Sequence, residues 1–375
     1  DTVDGLPVYD STTVDASGEI PEILMTVLPE GTTKSDIVYK ADTSTDEIIS
    51  HLLLYKVAYD ILDEEDPEEA EIKAVLVDTV RAIAQHFVDN GYALRDATGQ
   101  GTSWGKTELD YFNNGMTWED CSLNSLVLLN VFKLAGYVTG EARWENEYRM
   151  LATEEPYRYA DLCGKYWERL EYVAHADGGL PEDASQEEVD EWIRYYHCYP
   201  DEEMAVSAYY LLFQMEEDEA LLEKYRAGFD DWWNSMQYSE NPMYYYMYQL
   251  SFPNEEQTDA YGRSIVESAS WELSREPIDT IAWSAHHEDR PDVYADDGGY
   301  GWEAISRDRE TNEIRVVPAD ERGIHKFDNS TYNLNHKNNP QLMEGCTNFT
   351  MPYWIGRYHC PIPLDTTETG EPIIS

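Results

Sequence analysis

Positive charge is what this sequence has least of. Its 375 residues carry 26 Lys and Arg against 75 Asp and Glu, a net charge of −49 with His neutral. A field of that sign repels phosphate backbones and anionic headgroups, which excludes nucleic acid and anionic membrane surfaces as partners. Such a charge favours solubility in a salty or crowded medium, where screening shortens the repulsion. Cysteine is scarce too: Cys121, Cys163, Cys198, Cys346 and Cys360 show no CxxC spacing. Neither a zinc ribbon nor a disulfide scaffold follows. Cys346 and Cys360 lie close enough in a loop-rich tail to pair, and the other three read as small buried hydrophobes. No run approaches the ~18 to 20 uninterrupted apolar residues of a membrane span. No charged-then-apolar leader opens the chain, so any export signal has been cleaved, omitted or never existed.

Several motifs are missing as well. The chain has no GxGxxG, P-loop, HExxH or GxSxG pattern, and "DDGGYGWE" (296–303) lacks the oxygen-ligand spacing of an EF-hand loop. No cofactor and no metal are expected. What the chain does have is rings and apolar bulk. Hydrophobic residues make up 42 % and aromatics 13 %, with 29 Tyr and 11 Trp, the composition of a globular protein. Such rings fill cores, and they also stack on sugar faces while their polar tips bond hydroxyls.

From residue 44 to 276 the periodicity predicts helix after helix. Segment 44–62 is almost wholly apolar after a polar start and reads as a helix buried on nearly every side. Segment 68–90 is amphipathic, with Ile72, Val75, Leu76, Thr79, Val80, Ile83 and Phe87 at helical spacing. The alternation returns in 119–136 followed by 142–173, in 200–215 followed by 217–238, and in 241–252 followed by 257–275. A helix apolar all round must be surrounded, and one with a single apolar stripe must cover something. Four such pairs predict an all-α fold, an (α/α) toroid or barrel of inner and outer helices. Inner helices start about 75, 81 and 41 residues apart, too irregular for a solenoid array. The expected organisation is an extended segment over 1–40, the helical toroid over 41–276 and a loop-rich wrap of the same domain over 277–375. The connection 91–118 is long enough to be functional, and its Trp104, Tyr111, Phe112 and Trp118 argue for order.

In a toroid the N-termini of the inner helices gather at one end, and three of them are acidic: "STDE" (44–47), "WED" (118–120) and "PDEE" (200–203). Each is open to a plain reading. Ser44 and Glu47 form a capping box, and carboxylates favour helix N-termini. Brought together, like charges raise one pKa and prepare a general acid beside an ionised partner, the pair that glycosidic cleavage requires. Asp46 or Glu47 against Asp201 or Glu203, with Asp120 in reserve, are the catalytic candidates. His51, one turn beyond Glu47, is placed to orient a carboxylate or to sit satisfied in the core. Substrate-binding candidates are Trp104 and Lys106 on the long loop, His197 and Tyr199 before the third acidic mouth, and His287 and Arg290 in "WSAHHEDRPD" (283–292). Arg322 and Arg357 join Lys106 and Arg290 as cations able to hold a carboxylate, unless they serve structural salt bridges.

The stretches "DTSTDEI", "TSWGK", "PADER" (318–322) and "PYWIGRYH" (352–359) resemble a group of bacterial (α/α)-toroid carbohydrate-active proteins over residues 40 to 360. The group is similar in architecture to glycoside hydrolases and polysaccharide lyases, several acting on uronic-acid sugars. The resemblance carries over Asp46, Glu47, Trp104, Asp201, Glu203, Arg290 and Asp292. It departs at Ala285-His286-His287, where an amide and a hydroxyl are expected, which puts sugar recognition in doubt. It implies a carbohydrate substrate and a secreted or periplasmic location, with the cytoplasm left open as well as the oligomeric state. The leading expectation is a hydrolase cutting a terminal sugar, a uronic acid among the candidates, by paired carboxylates. One rival is a polysaccharide lyase with a Tyr or His base (His197 with Tyr196 or Tyr199, near Arg290). The other is a non-catalytic glycan-binding protein whose acidic mouths are only caps.

Overall fold

A computed structural model of the chain describes residues 2–3, 6–7, 42–96, 99–114, 120–176, 180–195, 199–278, 283–287, 289–296, 305–322, 331–335 and 345–359. The described chain is predominantly helical, as the periodicity predicts. It contains α1 (Thr45–Ile61), α2 (Pro67–Asp89), α3 (Leu109–Asn114), α4 (Asp120–Thr139), α5 (Ala142–Thr153), α6 (Tyr159–Leu162) and α7 (Tyr166–Ala176). After these come α8 (Gln186–Tyr195), α9 (Tyr199–Met215), α10 (Glu219–Met236), α11 (Pro242–Ser251), α12 (Ile265–Arg275) and α13 (Thr347–Tyr358). Strands are few. β1 (Thr2–Val3) pairs with β2 (Leu6–Pro7), and β3 (Val293–Asp296) pairs antiparallel with β4 (Ile305–Asp308), Val293 opposite Asp308. The chain divides into two compact units, Asp1–Gly115 with Val127–Tyr157, and Met116–Leu126 with Arg158–Ser375.

In the first unit α1 packs on α2. Asp66 starts α2 by accepting from the backbone N–H of Glu68 at 2.9 Å, with Pro67 in the first turn, where a missing N–H does no harm. α2 buries Leu76, Val80, Ala84 and Phe87, a single stripe. Here one expectation fails. α1 is not buried on nearly every side: it buries only Thr45, Ile49, Leu52 and Lys56, while Leu54 is 60 % and Ile61 64 % exposed. Apolar residues permit burial on every face, but a face is covered only where a partner packs. On α2, Ile72 and Val75 from the predicted stripe are exposed as well. Cross-links hold this unit: Lys56 to Asp60 at 2.6 Å, Tyr137 Oη to Asp60 at 2.9 Å, and Arg81 Nε to Glu141 at 2.7 Å.

α4, α9 and α11 are the buried helices. α4 is long and apolar enough to cross a membrane by length and composition, yet 89 % of its most apolar window is buried inside the protein. The predicted helix 142–173 is three helices, α5 to α7, because Pro156 cannot continue a helix and Arg158 takes a left-handed φ of 51°. α3 and α13 stand in stretches read as loops, and the acidic run over 181–191, whose composition suits a solvated helix start or loop, opens the amphipathic α8.

The second unit is organised around α10, which packs against α6, α7, α8, α9 and α11. Tyr209 of α9 stacks on Phe229 (centroids 4.8 Å, planes 12° apart), Tyr166 of α7 on Trp232 (3.5 Å, 10°) and Tyr248 of α11 on Trp233 (4.0 Å, 6°). α11 packs on α9, α12 and α13. Gly228 permits the close approach: a Cβ there would meet Tyr209 Oη at 2.5 Å and Gly164 Cα at 3.0 Å. Tyr209 cannot easily give way, because its hydroxyl donates to the Cys163 carbonyl at 3.1 Å. Gly228→Ala is therefore expected to destabilise the protein by about 1 to 3 kcal/mol, the usual range for overpacking. A lowered urea midpoint at unchanged slope is the expected reading, and an unchanged midpoint would show that the contact relaxes.

Candidate functional site

The first acidic mouth is a working helix cap. Ser44 N–H donates to Glu47 Oε2 at 2.8 Å, and the single Ser44 hydroxyl proton is shared between Asp46 Oδ2, 2.9 Å away, and Glu47. Asp46 is half-buried and Glu47 exposed. His51 does not orient a carboxylate; its Nδ1 lies 2.6 Å from the Glu47 backbone carbonyl. One contact ties the long loop to this mouth. Asp42 Oδ1 accepts from the Ser103 N–H at 3.1 Å, tying the long loop to the start of α1, and the neighbouring Trp104 ring is 62 % exposed. Lys106 is not a cation held out for a ligand, since its Nζ donates to the Thr102 carbonyl.

Asp120, Asp201 and Glu203 belong to the second unit, each half-buried, at the starts of α4 and α9. Glu202 between the last two is fully buried. His197 and the side chain of Tyr199 lie outside the described residues, as does Cys360; Cys346 carries a free thiol.

A dense polar cluster gathers where the end of α12 meets the 3-10 turn Ala319–Glu321. Glu272 and Arg322, both buried, form an ion pair at 3.2 Å, and Glu272 Oε2 also accepts from the Ala319 N–H at 3.1 Å. Arg275 reaches Asp320 at 2.6 Å, and its guanidinium lies 5.5 Å from the ring centre of Trp271, which is 57 % exposed. Trp283 Nε1 donates to the Arg322 carbonyl at 3.1 Å, and His287 contacts the Glu321 carbonyl. Arg290 is not available to grip a substrate carboxylate. Its Nε and Nη2 hold Asp292 at 2.9 and 2.7 Å, and Nη1 holds Glu321. Those bonds keep the Asp292 carboxyl down at about 2. In a chain so short of cations, the protein's own carboxylates take the guanidinium groups.

Glu276 is the exception in this cluster. Burial, then the nearby Glu272 charge, raise its carboxyl to about 7, against the downward pull of Arg322. Burial also raises Glu272 above the ordinary carboxylate range, with Arg322 opposing. A half-buried carboxyl that is protonated near neutrality, one turn from a second carboxylate, is the arrangement used to donate and reclaim a proton. The sequence contained a sign of it: a carboxylate at the C-terminal end of a helix, just before Pro277, stands against the dipole preference. A cleft of about 440 Å³ lined by Gln249, Pro253, Glu255, Glu256, Ser264 and Glu267 contains none of the candidate residues. Among the described residues no group of His, Cys, Asp and Glu is arranged to hold a metal ion. No family model, curated protein or solved structure matches the chain.

The Glu276 shift has a consequence for stability. Between its ordinary 4.5 and about 7 the folded protein holds a proton that the unfolded chain has released, so stability falls as pH rises through that window. Glu276→Gln removes this slope. Chemical denaturation at pH 4 and pH 8 is expected to show the variant gaining on the parent at pH 8, and a constant difference would contradict it.

Proposed function

We propose that the protein is a carbohydrate-active hydrolase that cleaves a glycosidic bond with Glu276 as general acid. The observation that carries this reading is a carboxyl raised to about 7 at the C-cap of the helix that bears the exposed Trp271 ring. Glycosidic cleavage needs a proton for the leaving oxygen and negative charge near the sugar carbon that becomes cationic. Glu276 supplies the proton. Glu272, fixed by Arg322 and the Ala319 N–H, supplies the charge from a set position. Trp271 offers an apolar face for a sugar ring. Asp120, Asp201 and Glu203 remain candidates for activating water. The polar cluster includes the "PADER" stretch that carries part of the sequence resemblance.

An inner-and-outer arrangement of helices belongs to the same proposal. It is supported by the buried α9 and α11, each followed by the half-exposed α10 and α12, while the open faces of α1 count against it in the first pair. A non-catalytic glycan-binding role is the second reading, favoured by the cap that engages both Asp46 and Glu47.

The deciding experiment is a screen against plant, algal and host polysaccharides, with products identified by mass spectrometry. On the substrate found, Glu276→Gln is expected to lower turnover at least 100-fold, as befits loss of a general acid. The parent's rate should fall as pH rises above about 7, because the acid must be protonated to act. Full activity in Glu276→Gln would refute the assignment. Oligosaccharide binding without any product would favour the second reading, and an unsaturated product would identify a lyase.

A further inference from the structure

Arg169 is the one arginine in the described structure that is buried without a counter-ion. It sits in the middle of α7, 2 % exposed, between Tyr166 and the fully buried Leu170. Its Nε and Nη1 have no hydrogen-bond partner, and it forms no ion pair with any described carboxylate. The other buried arginines are served: Arg322 by Glu272 and Arg307 by Asp296 at 2.6 Å. The carboxylates closest in sequence are engaged elsewhere. Glu168 pairs with Lys165 at 3.3 Å, Glu171 accepts from Gln186 at 2.7 Å, and Asp161 is held by Lys224 and Arg158.

A guanidinium stays charged, and a buried charge without a partner is strongly unfavourable. In a protein with 75 carboxylates, leaving this cation without one is informative. A second unpartnered donor lies on α10, which packs on α7. The fully buried Trp232 of α10 has an indole N–H without an acceptor, and its ring stacks at 3.5 Å on Tyr166, one turn from Arg169 on α7. A guanidinium and an indole N–H beside a stacked ring pair have one chemistry in common: both donate to an oxyanion.

We propose that Arg169 is the anchor of a buried oxyanion-binding site on the covered face of α7, taking the carboxylate or phosphate group of a small ligand. The surrounding field repels anions in general. Retention therefore depends on direct, oriented hydrogen bonds from Arg169 and not on long-range attraction. The site shares no residue with the Glu276 cluster and requires no catalysis there.

The test uses the full-length protein in chloride buffer, titrated at constant ionic strength with sodium glucuronate, sodium acetate or inorganic phosphate. The melting temperature is followed, and native mass spectra are recorded on the purified protein. The expected result is a saturable rise in melting temperature with at least one of the three, or a fixed bound mass already present. Glucuronate or acetate would indicate a carboxylate ligand, and phosphate a phosphoryl one. Arg169→Met should abolish the rise and the bound mass while melting no lower than the parent in chloride, since it removes an uncompensated charge. Arg169→Lys keeps the charge but loses the planar fork, and should weaken the response at least tenfold. If Arg169→Met does not fold, the Lys variant decides. An unchanged response in Arg169→Lys, or neither a saturable shift nor a bound mass in the parent, would overturn the proposal.

Discussion

The second unit depends on the stacking of rings along a single helix. The run "GFDDWW" (228–233) in α10 supplies Phe229, Trp232 and Trp233, and each receives a flat ring from a different helix, α9, α7 and α11 in turn. Offset and parallel ring contacts add to area burial and fix orientation as well as distance. Of the two aspartates inside this run, Asp231 is half-buried and Asp230 exposed. Tyr248 donates its hydroxyl to Asp230 at 2.6 Å. Burial, with the Asp230 charge beside it, pushes the Asp231 carboxyl up to about 6. The hub therefore combines a rigid apolar spine with carboxyls that a fully solvated surface would not perturb.

Shortage of cations governs the polar architecture. With 26 Lys and Arg for 75 carboxylates, guanidinium groups are scarce, and most of the described ones, Arg169 excepted, pair within the protein's own framework. Arg322 fixes the 3-10 turn to α12, Arg290 closes on Asp292 and Glu321, and Arg263 joins Asp259 at 2.7 Å to Glu240 at 3.0 Å. A carboxyl left out of such pairing in a poorly solvated place keeps its proton to higher pH. Glu276 is the clearest instance.

Much of this was legible in the sequence, and the failures share one cause. The extents of α2, α4, α9 and α11 follow from periodicity and from caps such as Asn241, which accepts from the Met243 N–H at 2.9 Å. The capping box at Ser44 is a local pattern and was readable as one. Covering is not local. Residues 45–61 carry apolar side chains on several faces, and nothing within the segment says which faces a partner will cover. The same limit applies to the candidate site. Arg290 looked like a ligand-binding cation although one of its partners, Asp292, stands two residues on; the other, Glu321, which completes its pairing, lies 31 residues away in the chain. Glu276 escaped notice because its environment is assembled from α12 and the segment around Arg322.

The boundary between the two units also bears on how the chain comes to be built. Residues 116–126 count with the second unit although the first resumes at 127 and runs to 157. Neither unit is thus a continuous stretch, and no single cut yields either one whole. On an emerging chain the segment 116–126 is made before the rest of its unit exists, and it must wait until residues beyond 158 have been synthesised. A protease nicking either the connection at 115–116 or that at 157–158 would leave one fragment carrying a part of both units, so a single nick cannot isolate either unit whole.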